Sequence, residues 1–258
     1  MANSEASLAV FCDFENIALG VREAKYAQFD MEKVLERLLA KGSIVVKKAY
    51  CDWERYKEFK AAMHSASFEL IEIPHVRQSG KNSADIRMVV DALDLCYTKS
   101  HVDTFVIVSG DSDFSPLVSK LRENAKTVIG VGVKNSSSDL LINNCDEFIY
   151  YDDLVRQDEH KRRAAKKRKE AGTGGQDKKQ EAFDMMLGTL EALVAERGAD
   201  EKIWGSMVKQ ALKRRNPGFN ETYYGFRAFS DLLEEAGDKG LIRLEPDEKS
   251  GGYILRPA

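Results

Sequence analysis

The chain has 258 residues, of which 43% are hydrophobic and 31% charged, a composition typical of a soluble globular protein with a buried core. Its formal net charge of -3 gives no general attraction for a polyanion, so only local charge clusters can argue for nucleic-acid binding. No apolar run approaches the ~18 residues that a membrane span needs. The N-terminus also lacks the order of a secretory signal, basic residues and then apolar ones. These features predict a cytoplasmic protein with no membrane partner.

Four cysteines and four histidines are scattered along the chain, with none of the paired spacings of a zinc site or a redox motif. Three of the cysteines lie inside apolar or strand-like stretches. We therefore expect free, mostly buried thiols in a reducing compartment. The same scatter argues against a zinc enzyme.

The first part of the chain alternates short apolar runs with longer amphipathic ones, the pattern of stacked βαβ units. It predicts an α/β domain with a doubly wound, mainly parallel sheet. Helices are expected where apolar residues recur at helical spacing, with Gly42 capping the end of the first of them and Asp113 capping the start of the third, near Pro116. The predicted strands span residues 8–12, 44–50, 68–73, 104–109, 127–133 and 148–150, and the helices residues 31–39, 86–95 and 117–121.

The composition changes after Tyr151. Residues 161–169 contain seven lysines and arginines, and residues 171–175 are rich in glycine, which together indicate a linker. The basic run either attracts phosphates or only solvates the linker, and the sequence favours neither interpretation. We predict domains at residues 1–157 and 181–258, with the linker at 158–180.

The last part becomes compact again and predicts a small winged helix-turn-helix domain. Apolar spacing indicates one helix that ends before Gly198 and a second around residues 204–212. Asn220 is suited to cap a third helix, which would carry the apolar residues from Tyr224 to Leu233. Strands at 241–244 and 253–255 would pair as a hairpin across residues 250–252.

Carboxylates follow two of the predicted strands. Asp13 comes directly after residues 8–12, and Asp111 and Asp113 follow residues 104–109. In an open parallel sheet, ligands bind beyond the carboxyl ends of the strands where the strand order reverses. Carboxylates ~4 Å apart repel by about 4 kcal/mol at an effective dielectric near 20, so such a cluster favours a hard cation. The sequence therefore predicts a site for Mg²⁺ or Mn²⁺.

Asp85 joins these acids because it opens the helix at 86–95 after a polar loop, and that start can face the same sheet edge. The alternative is that Asp85 only complements the helix macrodipole. Asp91, about two turns further along the helix, is interpreted as a salt-bridge partner rather than a site residue.

The segments 13–16, 81–85 and 109–114, the last reading Ser-Gly-Asp-Ser-Asp-Phe, resemble the NYN domains of the PIN-like ribonuclease superfamily over about residues 7–155. This resemblance implies a doubly wound α/β/α fold, an acidic metal pocket and cleavage of RNA. Asp13 and Asp111 would be direct metal ligands, while Asp85 and Asp113 would bind directly, through water, or orient the nucleophile. Asn16 would be a supporting polar residue of the same catalytic set.

Residues 204–220 and 223–226 resemble the LOTUS (OST-HTH) domain, whose members bind RNA or protein partners. A basic residue at position 221 would help to contact phosphate, and this chain has Glu221 there instead. The predicted phosphate-binding face consists of Lys209, Lys213, Arg214 and Arg215.

Three further residues are predicted RNA contacts, each with a structural alternative. Lys81 would neutralise a phosphate or remain solvated. Ser138 would bind phosphate or cap the helix that follows it. Trp53, with Tyr56 nearby, would stack on bases or pack against a helix.

The leading hypothesis from the sequence is a divalent-metal-dependent ribonuclease, endonucleolytic on single-stranded or structured RNA, with a C-terminal RNA-binding module. The alternative is a non-catalytic RNA-binding or protein-interaction adaptor in RNA metabolism. A phosphatase of another Rossmann-like class, with Asp111 or Asp113 as nucleophile, is disfavoured because the surrounding residues do not follow that pattern. The sequence gives no information on the oligomeric state.

Overall fold

The computed structural model describes residues 6–26, 29–73, 83–158, 178–198, 201–247 and 252–258. The chain folds as two compact units, one formed by residues 1–38 and 42–163, the other by residues 39–41 and 164–258. Most of the predicted linker, residues 159–177, lies outside the described residues. Among the helices of the described ranges, none combines the length and the apolar character of a membrane span.

The N-terminal unit is built on a six-stranded sheet in which every pairing is parallel. The strand order is β3-β2-β1-β4-β5-β6. The strands β1 to β3 therefore extend the sheet to one side and β4 to β6 to the other, so the switch point of the topology lies between β1 and β4. All six predicted strands are confirmed, with ends that shift by one or two residues. The strands are β1 (Ala6–Asp13), β2 (Gly42–Cys51), β3 (Glu69–Glu72), β4 (Thr104–Val108), β5 (Thr127–Gly132) and β6 (Glu147–Tyr150).

Helices cover both faces of this sheet. Successive side chains of β1 point to opposite faces of the sheet. Val10 packs with the residues of α1 to α3 on one face, and Phe11 packs with those of α4 to α6 on the other. The three predicted helices are confirmed as α2, α4 and α5. The helices are α1 (Phe14–Glu23), α2 (Met31–Leu39), α3 (Lys57–Ser65), α4 (Ser83–Thr98), α5 (Ser115–Glu123), α6 (Asp139–Asn144) and α7 (residues 151–158).

Both predicted caps in this unit are wrong. Gly42 is the first residue of β2, where a Cβ would lie 2.1 Å from the carbonyl oxygen of Ala6, so the position needs glycine for close strand packing. Asp113 lies in a 3-10 turn, Ser112–Phe114, that precedes α5 and is itself capped by Asp111. Pro116 does lie in the first turn of α5, as predicted.

The described residues of the C-terminal unit form three helices and a three-stranded antiparallel sheet in the order β7-β9-β8. Its first helix ends before Gly198, whose φ of +98° favours glycine, and the two predicted hairpin strands are paired. The predicted hairpin turn falls partly on residues 248–251, outside the described residues, and the winged helix-turn-helix remains an interpretation. The elements are α8 (Lys178–Arg197), β7 (Ile203–Trp204), α9 (Gly205–Arg215), α10 (Phe229–Asp238), β8 (Ile242–Asp247) and β9 (Gly252–Pro257).

The predicted start of the third helix is wrong. The Asn220 side chain accepts hydrogen bonds from the backbone N–H and the hydroxyl of Thr222, at 3.0 and 2.7 Å, and so forms a turn rather than a helix cap. Gly225 follows with φ +85°, a conformation that a helix does not contain. The helix α10 therefore begins only at Phe229.

All four cysteines are free, and three of them are buried. This confirms the prediction of buried free thiols.

Candidate active site

Asp13 is the last residue of β1 and the N-cap of α1, only 7% exposed. One carboxylate oxygen accepts a hydrogen bond from the backbone N–H of Asn16 at 3.3 Å. The other accepts from the hydroxyl of Ser109 at 3.0 Å. Asp13 is therefore held at the point where the strand order of the sheet reverses, as its place in the sequence predicts.

Ser109 and Asn16 tie the ends of β1 and β4 together. The fully buried Ser109 hydroxyl also accepts a hydrogen bond from the backbone N–H of Asp111 at 3.2 Å. The Asn16 side-chain oxygen accepts from the backbone N–H of Gly110 at 2.8 Å. The Ser109 hydroxyl thus links the Asp13 carboxylate to the backbone N–H of Asp111. Sequence reasoning did not single out Ser109, although it stands between a strand and Asp111.

Gly110 allows the backbone segments of this site to approach closely. A Cβ at this position would lie 2.4 Å from the carbonyl oxygen of Ser136, which is backbone and cannot swing aside. The Gly110 carbonyl accepts a hydrogen bond from the N–H of Ser138 at 2.9 Å. The start of α6 therefore lies beside the ends of β1 and β4.

The predicted acids interact electrostatically although they come from separate segments. Burial, followed by the charges of Asp85 and Asp111, raises the pKa of Asp13 to about 7 against the opposing hydrogen bonds from Ser109 and Asn16. Burial, then Asp111, Asp113 and Glu15, raises the pKa of Asp85 to about 6. Among the described residues, neither carboxyl forms an ion pair with a lysine or arginine. Within the described part of the chain, the charges of Asp13 and Asp85 are therefore not balanced by a paired cation.

The described residues contain no group of three His, Cys, Asp or Glu side chains close enough together to hold a metal ion as they stand. The donor chemistry nonetheless fits Mg²⁺ or Mn²⁺, because both prefer carboxylate oxygens. Burial and neighbouring carboxylates raise the pKa of Asp13 and of Asp85, and a divalent cation would provide the counter-charge that these two acids lack among the described residues. The chain thus brings suitable ligands into one region, and binding would require their side chains to draw together.

Several other predicted site residues have different roles. Trp53 is 1% exposed and packs against Phe14 at 5.0 Å between ring centroids, so the prediction that it stacks on bases is wrong. The hydroxyl of Ser138 accepts a hydrogen bond from the N–H of Leu140 at 3.2 Å and caps α6. Ser138 thus has the capping role that was the alternative to phosphate binding. Lys81 lies outside the described residues.

Asp91 belongs to a structural network rather than to the site. It accepts hydrogen bonds from the Tyr50 hydroxyl at 2.9 Å and from Arg87 at 3.0 Å, and Lys48 lies 3.5 Å away. This confirms the interpretation of Asp91 as a salt-bridge partner.

An ion pair stands beside the acidic region. Arg55, in the loop after β2, contacts Glu15 in the first turn of α1 at 3.0 Å. Glu15 is also one of the charges that raise the pKa of Asp85. Sequence reasoning assigned neither residue a role, because their contact joins segments far apart in the chain.

The predicted basic face of the C-terminal unit is largely engaged in internal contacts. Lys209 pairs with Glu221 at 2.9 Å, and Arg215 donates to the carbonyl of Gly188 at 3.0 Å. Arg214 is half-buried and already has polar partners. Lys213 is exposed. The four side chains therefore do not form one continuous open stripe.

The sequence model of the NYN domain matches residues 7–152, more than half of the chain and most of the N-terminal unit. The chain belongs to the NYN domain family. The match contains every residue of the acidic region. It places the N-terminal unit in a PIN-like nuclease family and agrees with its parallel sheet flanked by helices.

Two curated proteins are similar to this NYN chain. An uncharacterized protein of Methanocaldococcus jannaschii is 30% identical over 125 residues, which are 48% of this chain and 49% of that protein. The meiosis regulator and mRNA stability factor 1 of Xenopus tropicalis is 25% identical over 148 residues, 57% of this chain and 9% of that protein. The chain thus spans about half of the first relative and a small part of the second.

One solved structure shares the fold of the NYN unit. A protein of unknown function from Vibrio parahaemolyticus superimposes with a TM-score of 0.53 at 27% identity, covering 60% of this chain and 98% of that one. The similarity therefore extends over nearly the whole bacterial protein.

Proposed function

We propose that the NYN unit is a divalent-metal-dependent ribonuclease that hydrolyses RNA phosphodiesters, endonucleolytically, on single-stranded or structured RNA. The observation that carries the proposal is the acidic region, in which Asp13, Asp85, Asp111 and Asp113 act on one another without a basic partner among the described residues. Membership of a PIN-like nuclease family supports RNA as the substrate. The name of the frog relative, an mRNA stability factor, agrees with RNA metabolism.

Asp13 and Asp111 are the proposed metal ligands, with Asp85 and Asp113 binding directly, through water, or orienting the attacking water. A bound Mg²⁺ or Mn²⁺ would supply an activated water and neutralise charge on the phosphoryl oxygens. Ser109 holds the Asp13 carboxylate in place through its hydroxyl. The Asn16 side chain keeps the start of α1 against the end of β4, so the acids of both strands keep their spacing.

Labelled RNA with Mn²⁺, Mg²⁺ or EDTA tests the activity. We expect cleavage with a divalent ion, none with EDTA, and restoration when the ion is returned in excess. Asp85→Asn should lower the rate by at least ~100-fold, because it removes an acid from the metal region. Asp94→Asn is the matched control, since Asp94 is exposed on the same helix and should leave the rate unchanged. Equal rates for both variants would contradict the proposal.

The second candidate is a non-catalytic RNA-binding or protein-interaction adaptor. It is favoured by one observation, that the acids of the described residues do not stand close enough to coordinate an ion without moving. Saturable RNA binding without product at any divalent-ion concentration would support the adaptor. Product that disappears in Asp85→Asn would exclude it.

We also propose that the C-terminal unit is a LOTUS-type winged helix-turn-helix module that binds RNA, with protein partners as the alternative. Its three helices followed by an antiparallel hairpin agree with that fold. Exposed Lys213 offers a phosphate contact, but Glu221 neutralises the neighbouring Lys209. The acid therefore limits the affinity of this surface for a polyanion.

Replacing Glu221 with glutamine should tighten RNA binding by the whole chain in EDTA. Lys209 is partly exposed and Glu221 is largely buried in this pair. Ion pairs near the surface are worth ~0.2–1 kcal/mol, so freeing Lys209 should raise the affinity by up to about 5-fold. The salt dependence should steepen by ~0.7 if Lys209 gains one phosphate contact. Fluorescence anisotropy measures both. Glu191→Gln, the same charge change on the exposed face of α8, is the control. The surface is wrongly assigned if the two variants bind alike.

A further inference from the structure

The turn between α9 and α10 presents an aromatic ring to solvent. Tyr223 is 60% exposed, which is unusual for a large side chain in this unit. Its ring stands perpendicular to that of Tyr224 at 5.0 Å, and Tyr224 stacks on buried Phe219 at 5.3 Å. An aromatic chain therefore connects Tyr223 to the core, so the exposed ring is held in place rather than free to collapse onto the surface.

Positive charge lies against this ring. The ammonium group of Lys178 is 4.4 Å from the Tyr223 ring centroid, and among the described residues Lys178 has no carboxylate partner. In the sequence, Lys178 follows a segment with seven lysines and arginines at 161–169. Glu181 accepts a hydrogen bond from the hydroxyl of the neighbouring Tyr224. A solvent-facing ring and an exposed cation are thus combined at one place.

An exposed aromatic beside lysines is the arrangement that binds unpaired nucleotides. Every base has a π-face that can stack on a tyrosine, and the adjacent phosphate needs a cation. The four-carbon stem of Lys178 allows its ammonium group to turn from the ring to such a phosphate. A base-paired helix offers no free base face to this turn, so the chemistry favours a single strand.

We propose that Tyr223 is a base-stacking platform for single-stranded RNA and that Lys178 contacts the neighbouring phosphate. This inference rests on the proposed RNA binding by the C-terminal unit and adds the residues that engage a base. Lys209 and Arg215 in α9 have internal partners. The principal RNA contact of the C-terminal unit is therefore assigned to the turn before α10.

Binding of a short fluorescent single-stranded RNA by the full chain in EDTA tests the proposal without interference from cleavage. Tyr223→Ala should weaken binding by ~5- to 150-fold, because stacking on one aromatic contributes about 1–3 kcal/mol per base. Tyr223→Phe should bind within ~2-fold of the wild type, since the ring face remains. Tyr97→Ala is the matched control, as Tyr97 is 65% exposed on α4 of the other unit and should bind like the wild type.

Lys178→Ala gives a second readout, a salt dependence that is shallower by ~0.7. The inference is overturned if Tyr223→Ala binds RNA like the wild type, or if Tyr223→Phe is as weak as Tyr223→Ala. It is also overturned if the wild type does not bind RNA, or if Tyr223→Ala keeps its RNA affinity and instead loses binding to a protein partner. The two proposals can fail separately. If Tyr223→Ala loses RNA binding but the wild type never cleaves RNA, the stacking inference is supported and the ribonuclease proposal is contradicted.

Discussion

Asp13→Asn is expected to remove RNA cleavage and, at the same time, to raise the melting temperature of the metal-free protein. The Asp13 carboxylate is buried beside Asp85 and Asp111, and this environment raises its pKa to about 7. Raising the pKa of this carboxyl from its usual range to about 7 corresponds to roughly 4 kcal/mol of unfavourable charge burial at pH 8. Weaker hydrogen bonds to Ser109 offset part of this gain. We therefore expect a net stabilisation of about 2 kcal/mol, or ~4–8 °C in melting temperature.

Differential scanning fluorimetry in EDTA and in Mn²⁺ checks this expectation. The wild type should gain stability when Mn²⁺ is added, because the ion supplies the missing counter-charge and binds only the folded site. Asp13→Asn should show little response to the ion, whereas Asp94→Asn should respond like the wild type. A lower melting temperature for Asp13→Asn in EDTA would mean that the carboxylate stabilises the fold and that the acidic region stores no repulsion.

Phe14→Ala should destabilise the N-terminal unit by ~3–5 kcal/mol, the usual cost of removing a buried phenylalanine. Phe14 is fully buried, and its ring lies within 5.9 Å of four others. The cavity would loosen the start of α1, which carries Asn16 one turn beyond Asp13. Cleavage should therefore fall as well, although Phe14 has no chemical role. The four ring partners are Phe29, Trp53, Tyr56 and Phe59.

Denaturant unfolding followed by tryptophan fluorescence measures this loss, because Trp53 lies in the affected cluster. Phe14→Leu is the control, and a change that nearly conserves volume should cost less than ~1.5 kcal/mol. A loss for Phe14→Ala no larger than that for Phe14→Leu would show that this aromatic cluster does not support α1.

Much of the sheet could be predicted from the sequence because its central strands, β1 and β4, are buried on both faces. Such strands appear as short, nearly continuous apolar runs bounded by polar residues, as in β4. The helices α1 and α3 escaped prediction for a related reason. The helix α1 begins directly after a strand with no intervening turn, and α3 buries a single residue, Met63, so its apolar periodicity is weak.

The acids of the candidate site were predictable because parallel strands deliver their carboxyl ends to one edge. The contacts that hold them were not, since the Ser109 hydroxyl donates to Asp13, which lies 96 positions away in the chain. The role of Trp53 also depended on tertiary packing, because the sequence places it at the correct edge without showing which way the ring points. Lys209 illustrates the same limit, as only the folded chain pairs it with Glu221.

The pairing of β1 with β4 has a consequence for protein synthesis. Asp13 is made early, but its partners Ser109 and Asp111 follow only after the whole segment that contains β2, β3 and α4. Ribosomes add about 5–20 residues per second, so a growing chain exists for seconds without its complete acid cluster. Under the proposed ribonuclease function, a half-made polypeptide would therefore lack the complete acid set needed to cleave the messenger from which it is being translated.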